Sequence, residues 1–159
     1  MTLAAVEYKT IRDAILTLLR ANSATLNTGL ATTITSTSTQ IIAGNPLTTP
    51  LPNTLFPLVL VKISNKAEEW TNIGAAGRKK PKVIFKIYGL TRTLQEAGTD
   101  DEIMLLARNI ETVFRNNIAF DSSIIYCQPT NTDYGLVADD IGQYVNIVVI
   151  DLECYVEVK

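Results

Sequence analysis

A single α+β domain is the fold class this sequence predicts: a mixed, mostly antiparallel sheet with two main helices packed on one face and a long Thr/Pro-rich arm. Three observations carry the prediction. Apolar residues recur at helical spacing in two segments, as Tyr8, Ile11, Ile15, Leu18 and Leu19 near the start and as Ile103, Leu106, Ala107, Ile110, Val113 and Phe114 in the second half. The final segment alternates at strand spacing, with Val148, Ile150, Leu152, Cys154, Val156 and Val158 on one side and Asp151, Glu153, Tyr155 and Glu157 on the other. The length of 159 residues suits one domain, so residues 1–159 read as one unit, with no internal repeat.

The first helix is expected from Leu3 to Ala21, with Thr2 as its N-cap and with Glu7, Lys9, Arg12 and Asp13 off the apolar stripe. From Asn22 to Pro57 the composition turns to Thr, Ser, Asn, Pro and Gly. The tract Thr32 to Thr39 is β-branched without apolar alternation, which predicts a weak strand. Pro46, Pro50, Pro52 and Pro57 bar a continuous helix or central strand, because each removes a backbone donor and restricts its predecessor. Residues 22–57 are therefore expected to form an extended arm or loop, long enough to have a task or to become ordered on contact.

Leu58 to Ile63, directly after Pro57, is expected to be a strand buried on both faces or nearly so, with Lys82 to Leu90 as its antiparallel partner. In the second of these strands Val83, Phe85 and Ile87 share the core face, and Ile84, Lys86 and Tyr88 the other. Residues 66–81 read as a long hairpin loop with the only tryptophan, Trp70, and the basic cluster Gly77-Arg78-Lys79-Lys80-Pro81. Thr99-Asp100-Asp101-Glu102 forms a capping box, in which the Thr99 hydroxyl accepts from the Glu102 amide while the Glu102 carboxylate reaches back. It opens a helix running to about Asn116, whose acidic first turn and later Arg108 and Arg115 complement the helix dipole. Two strands close the chain, Ser123 to Thr132 and Tyr144 to Val158, joined through Asp133-Tyr134-Gly135 and Asp139-Asp140-Ile141-Gly142.

Composition narrows the chemistry. Lys and Arg total 14 against 16 Asp and Glu, a net charge of -2, so no overall basic excess exists to neutralise a run of phosphates. Histidine is absent, which removes the commonest general base, the usual metal ligand and every Ser-His or Cys-His nucleophile. No Gly-rich phosphate loop occurs, and Gly74 to Gly77 lacks a strand-turn-helix context. Helix capping accounts for Asp100 to Glu102 and a solvated turn for Asp139-Asp140, and neither has calcium-loop spacing. Cys127 and Cys154 are far apart in the chain, with neither zinc nor CxxC spacing, and are expected to be separate, reduced, partly buried thiols. Charges at Glu7, Lys9, Arg12, Asp13 and Arg20 interrupt the first apolar stretch, so it is expected to be neither signal peptide nor membrane span, and folding is expected in a cytoplasm. No enzymatic activity, cofactor or metal is expected. Charged residues make up 19%, below the roughly 25% of ordinary soluble domains, and this surplus of uncharged surface points to partners.

The order of elements and several residue clusters resemble the tail terminator, or tail-completion, family of long-tailed bacteriophages. The residues that carry the resemblance are the helix Ala5 to Leu19, the entry Phe56-Pro57-Leu58-Val59-Leu60-Val61 and the strand Lys82-Val83-Ile84-Phe85-Lys86-Ile87-Tyr88. They continue in the helix Leu106-Ala107-Arg108-Asn109-Ile110-Glu111-Thr112-Val113-Phe114-Arg115 and in Gly142-Gln143-Tyr144 before the final strand. The stretch Asn22 to Thr54 is longer than the family pattern requires. The resemblance implies a non-enzymatic virion structural protein of the tail and neck, assembled in the host cytoplasm. Such a protein forms a homohexameric ring on the head-proximal end of the tail tube, ends tube polymerisation and presents the head-tail joining surface.

The partners so implied are further copies of the chain, the tail tube protein (with the sheath in a contractile tail) and a head-side connector or stopper protein. DNA would pass through the lumen without specific binding, and no membrane is involved. Within this resemblance Trp70, Arg78, Lys79 and Lys80 are candidates for docking to tube or neck, the plain alternative being a solvated hairpin end with the tryptophan folded back on the sheet. Asp151, Glu153 and Glu157 are candidates for an acidic lumen lining that does not grip DNA, the plain alternative being a water-facing strand. Two other functions stay open: a head-tail connector or stopper, and a small ligand-binding or enzymatic α+β domain with a pocket in its loops.

Overall fold

The computed structural model describes residues 7–45, 56–70, 79–93, 101–138 and 144–156, apart from the side chains of residues 68–70, 79, 80, 93, 137 and 138. In chain order the elements are α1 (Tyr8–Ala21), α2 (Ser23–Leu26), α3 (Thr37–Gln40), β1 (Ile41–Ala43), β2 (Leu58–Trp70), β3 (Lys79–Thr93), α4 (Asp101–Asn116), β4 (Ile124–Ala138) and β5 (Tyr144–Val156). The strands make one five-stranded sheet in the order β1-β2-β3-β5-β4. β1 runs parallel to β2, and the other three neighbouring pairs are antiparallel. This is the mixed α+β sheet that the hydrophobic patterning predicts.

Both long helices cover the same face. Ile11, Ile15, Leu16 and Leu19 of α1 and the expected stripe of α4, from Ile103 to Phe114, are buried against Val59, Val61, Val83, Phe85, Ile87, Val148, Ile150, Leu152, Cys154 and Val156. Each buried side chain of this size stabilises the fold by about 1.5–3 kcal/mol over its exposed state, so this layer is the main source of stability. α1 lies against β1 and β2, whereas α4 lies across β3, β5 and β4. A smaller cluster occupies one end of the opposite face, where Leu58, Leu60, Leu90 and Val145 are buried with Ile42, Phe56, Tyr88 and Ile147 packed around them. Leu58 to Val61 are thus buried on both faces, as expected, whereas Lys62 and Ile63 at the end of that expected run are exposed.

Several boundaries differ from the sequence expectation, each for a physical reason. α1 begins at Tyr8, because Glu7 is off the helical region at φ -86°, ψ 77°; Thr2, the expected cap, lies outside the described residues, as do Asp139 to Gly142. Thr99 of the capping box also lies outside them, while Glu102 accepts a hydrogen bond from the Ala31 amide at 2.8 Å.

The Thr/Ser tract makes no strand over residues 32–39. It contributes α3, and the strand follows at Ile41–Ala43. Nor do residues 22–45 extend away from the body, since Leu26, Leu30, Ile34 and Ile41 are buried in the main core. Polar side chains supply what the sparse apolar residues lack. Gln40 accepts from the Thr35 and Ser36 amides at 2.9 and 2.8 Å and donates to the Pro57 carbonyl at 3.0 Å. Asn109 of α4 donates to the Leu26 and Thr28 carbonyls, both at 2.9 Å, and Arg20 of α1 donates to the Ile41 carbonyl at 2.8 Å through Nη2.

The β2–β3 hairpin is longer, and its connection shorter, than expected. Residues 66–70 and 79–81 are paired strand, the last pair being Trp70 with Lys79. Residues 64–67 are exposed, so no burial pattern marks them; backbone pairing alone makes them strand. β4 likewise runs past Thr132 to Ala138, because Asp133-Tyr134-Gly135 pair with Val149, Val148 and Ile147 of β5 instead of turning.

Candidate functional site

Among the described residues one face of the sheet carries no long helix, and the cross-strand register assembles its surface. One row runs Lys62, Lys86, Asp151 and Asn131; the next holds Asn65, Ile84, Glu153 and Gln128; and a third Ala67, Lys82, Tyr155 and Tyr126. The Lys86 Nζ donates to Asp151 Oδ1 at 2.9 Å, and Lys82 Nζ lies 3.5 Å from Glu153 Oε1. The hydrogen bond to Asp151 raises the Lys86 ammonium above the ordinary lysine range against an opposing desolvation, which keeps it charged. Beyond the ion pairs the Tyr126 and Tyr155 rings stack, their centroids 4.5 Å apart and their planes at 18°. At the other end the face becomes apolar, and the Arg92 guanidinium sits 4.8 Å from the Phe56 ring centroid, a cation–π contact beside the smaller cluster.

This geometry qualifies the acidic-strand expectation. Asp151 and Glu153 do share the helix-free side of β5, but each is paired with a lysine of β3, so the polar half carries balanced charge. Glu157 lies outside the described residues. Sequence places Lys86 on the outer side of its strand but hides the pairing of Lys86 with Asp151 and of Lys82 with Glu153, because the partners are far along the chain, Asp151 being 65 residues from Lys86. The available signal was alternation: Lys82, Ile84 and Lys86 fall on one side of β3, and that side meets the acidic side of β5 once the two strands pair.

Of the candidate docking residues, Trp70, Lys79 and Lys80 are brought together by pairing at the far end of the β2–β3 hairpin, where Trp70 opposes Lys79 and Glu69 opposes Lys80. Arg78 lies outside the described residues.

The sheet also ends in two different edges. β1 covers only Val59 to Val61 of β2, and from Lys62 onward no described strand lies on that side. At the opposite edge β4 is the last described strand. Its first half carries register irregularities at Ile124/Tyr126 and Pro129/Asn131, devices that discourage edge pairing. Its second half is regular and presents Tyr134 and Leu136, 56% and 51% exposed. α4 runs alongside, with the Thr132 hydroxyl donating to Glu111 Oε1 at 2.7 Å. Desolvation, and then the Glu111 charge, push the Tyr134 phenol above its usual range.

A groove of about 420 Å³ between α1 and the segment after α4 is lined by Thr10, Asp13, Ala14, Thr17, Leu18, Ala21, Phe120 and Asp121. Hydrogen bonds from Lys9 and then Arg12 hold the Asp13 carboxyl below its usual range, so at neutral pH it can only accept. Among the described residues no group of three or more His, Cys, Asp or Glu is placed to hold a metal ion. Likewise among them, no helix is long and apolar enough to cross a membrane.

No protein-family model matches the chain, and no curated protein does. Its fold is similar to that of a chain in the solved structure described as the virion of a native gene transfer agent particle, with a TM-score of 0.52 at 10% sequence identity. The likeness covers 95% of this chain and 99% of that one, and at so low an identity what it shows is a shared fold.

Proposed function

We propose that this protein is a structural component of a phage-like virion and, within it, a tail terminator. It assembles as a ring, a hexamer, on the head-proximal end of the tail tube, stops tube growth and presents the joining surface for the head. The observation that carries the reading is the end-to-end likeness to a chain of a gene transfer agent virion, over 95% and 99% of the two chains. The order of helices and strands that resembles the terminator family supports the finer assignment.

A ring needs the same head-to-tail contact at every step, and a sheet with two different edges suits that requirement better than two like edges would. In this reading the hairpin end with Trp70, Arg78, Lys79 and Lys80 docks on the tube or neck. The helix-free face lines the passage for DNA: Asp151 and Glu153, neutralised by Lys86 and Lys82, neither grip nor strongly repel phosphates. The role is one of assembly, without catalysis or cofactor.

The test is mass photometry of the purified protein alone and with polymerised tail-tube protein, followed by negative-stain imaging of tube ends. Rings capping one end of each tube are expected, and changing Trp70 to Ala with Arg78, Lys79 and Lys80 to Ser should abolish capping. Binding to DNA-filled heads instead of tubes would transfer the protein to the connector or stopper role.

A further inference from the structure

Cys127 and Cys154, distant in sequence, are direct cross-strand partners in the β4–β5 ladder. Both are free thiols, both are wholly buried, and both lie on the helix-covered side of the sheet. The two interact: the neighbouring Cys127 thiol, and then burial, push the Cys154 thiol well above its usual range. Directly opposed residues in antiparallel strands hold their Cα atoms about 4.5–5.5 Å apart, inside the range of about 4.4–6.8 Å that a disulfide accepts. The register therefore places the two cysteines within disulfide reach of each other. The expectation of two separate thiols is corrected by the sheet register, which no spacing in the sequence reveals.

We propose that Cys127 and Cys154 form a redox modification site that closes into an intramolecular disulfide, with a low-molecular-weight disulfide such as glutathione disulfide as the oxidant. The thiolate of one cysteine attacks a sulfur of the oxidant and expels one small thiolate, leaving a mixed disulfide on the protein. The second cysteine, deprotonated, attacks the protein sulfur of that mixed disulfide and expels the other small thiolate. Two electrons pass to the oxidant, and the two protons of the protein thiols end on the two small thiols released. Burial shields both sulfurs from small oxidants in the closed fold, so exchange proceeds through opening of β4 at the sheet edge. At that point β4 is held by the Cys127 amide, which donates to the Ile118 carbonyl at 2.7 Å. Once formed, the bond staples the outermost described strand to β5 at the end of the hairpin away from its connection, where strand separation would begin.

The experiment is equilibration of the purified full chain in glutathione redox buffers, approached from both reduced and oxidised protein, under native conditions and in concentrated urea. Samples are quenched by alkylation and read by intact mass. The expected result is a monomer lighter by two hydrogen atoms that takes up no alkylating agent. It should form under native conditions at a buffer about tenfold or more reducing than the one needed in urea, and should raise the urea midpoint accordingly. Cys127→Ser should yield no such species. An equal or greater need for oxidant in the native state would overturn the proposal, as would native oxidation giving only mixed disulfides or intermolecular dimers.

Discussion

A methyl group at position 89 has no room. The Cβ that Gly89→Ala would add lies 2.8 Å from Val148 Cγ1 and 3.1 Å from Leu106 Cδ2, wedged between β3, β5 and α4. Either α4 lifts or Val148 leaves its rotamer, at a cost of about 1–3 kcal/mol. Urea unfolding of Gly89→Ala should show that loss with an unchanged slope; a change below about 0.5 kcal/mol would mean that the helix-sheet gap is elastic. Gly135, with nothing within 4 Å of its added Cβ, is the matched control. Sequence marks Gly89 only as a weak point in an alternating run. The atoms that oppose it come from two other elements, and the same holds for the partnerships of Cys127 with Cys154 and Lys86 with Asp151.

Among the elements, residues 22–45 separate most clearly what patterning reveals from what it hides. Their few apolar residues are isolated among Thr, Ser, Asn and Gly, yet Leu26, Leu30, Ile34 and Ile41 all reach the core. Side-chain amides then make the backbone bonds that regular structure would make elsewhere, as Gln40 does for Thr35 and Ser36 and Asn109 for Leu26 and Thr28. Gln40→Ala and Asn109→Ala each strand buried polar groups and should cost about 1–3 kcal/mol. Amide exchange at Thr35 and Ser36 should accelerate in Gln40→Ala far more than in β3 and β5. Equal acceleration everywhere would mean that the segment opens only with the whole domain, and the idea of a local clamp would fail. The amphipathic helices, by contrast, were legible because burial on one face imposes a period on the chain itself.

On the scale of the whole molecule, the proposed ring draws on what the described elements leave exposed at the sheet edge. In the proposed ring, the regular second half of β4, with Tyr134 and Leu136 exposed, is the stretch through which a neighbouring copy would add to the sheet. Tyr134→Lys with Leu136→Lys should leave the monomer within about 0.5 kcal/mol of the parent in urea unfolding, because both sites are exposed. The same variant should fail to form rings on tube ends. Intact rings with a stable monomer would place the contact between copies elsewhere. Local patterning does not suffice for α2, α3 or the position of β1, but it does for the α+β class, the two long helices on one face, the two hairpins and the two sides of β3 and β5. These follow from local periodicity and from the need of each apolar face to be buried. Tertiary structure alone decided the neighbours: β3 beside β5, lysines across from carboxylates, one cysteine opposite the other, and the Thr-rich segment folded down onto the core. Those contacts join residues distant along the chain, and their free energy depends on register and burial, which come into existence only when the sheet closes.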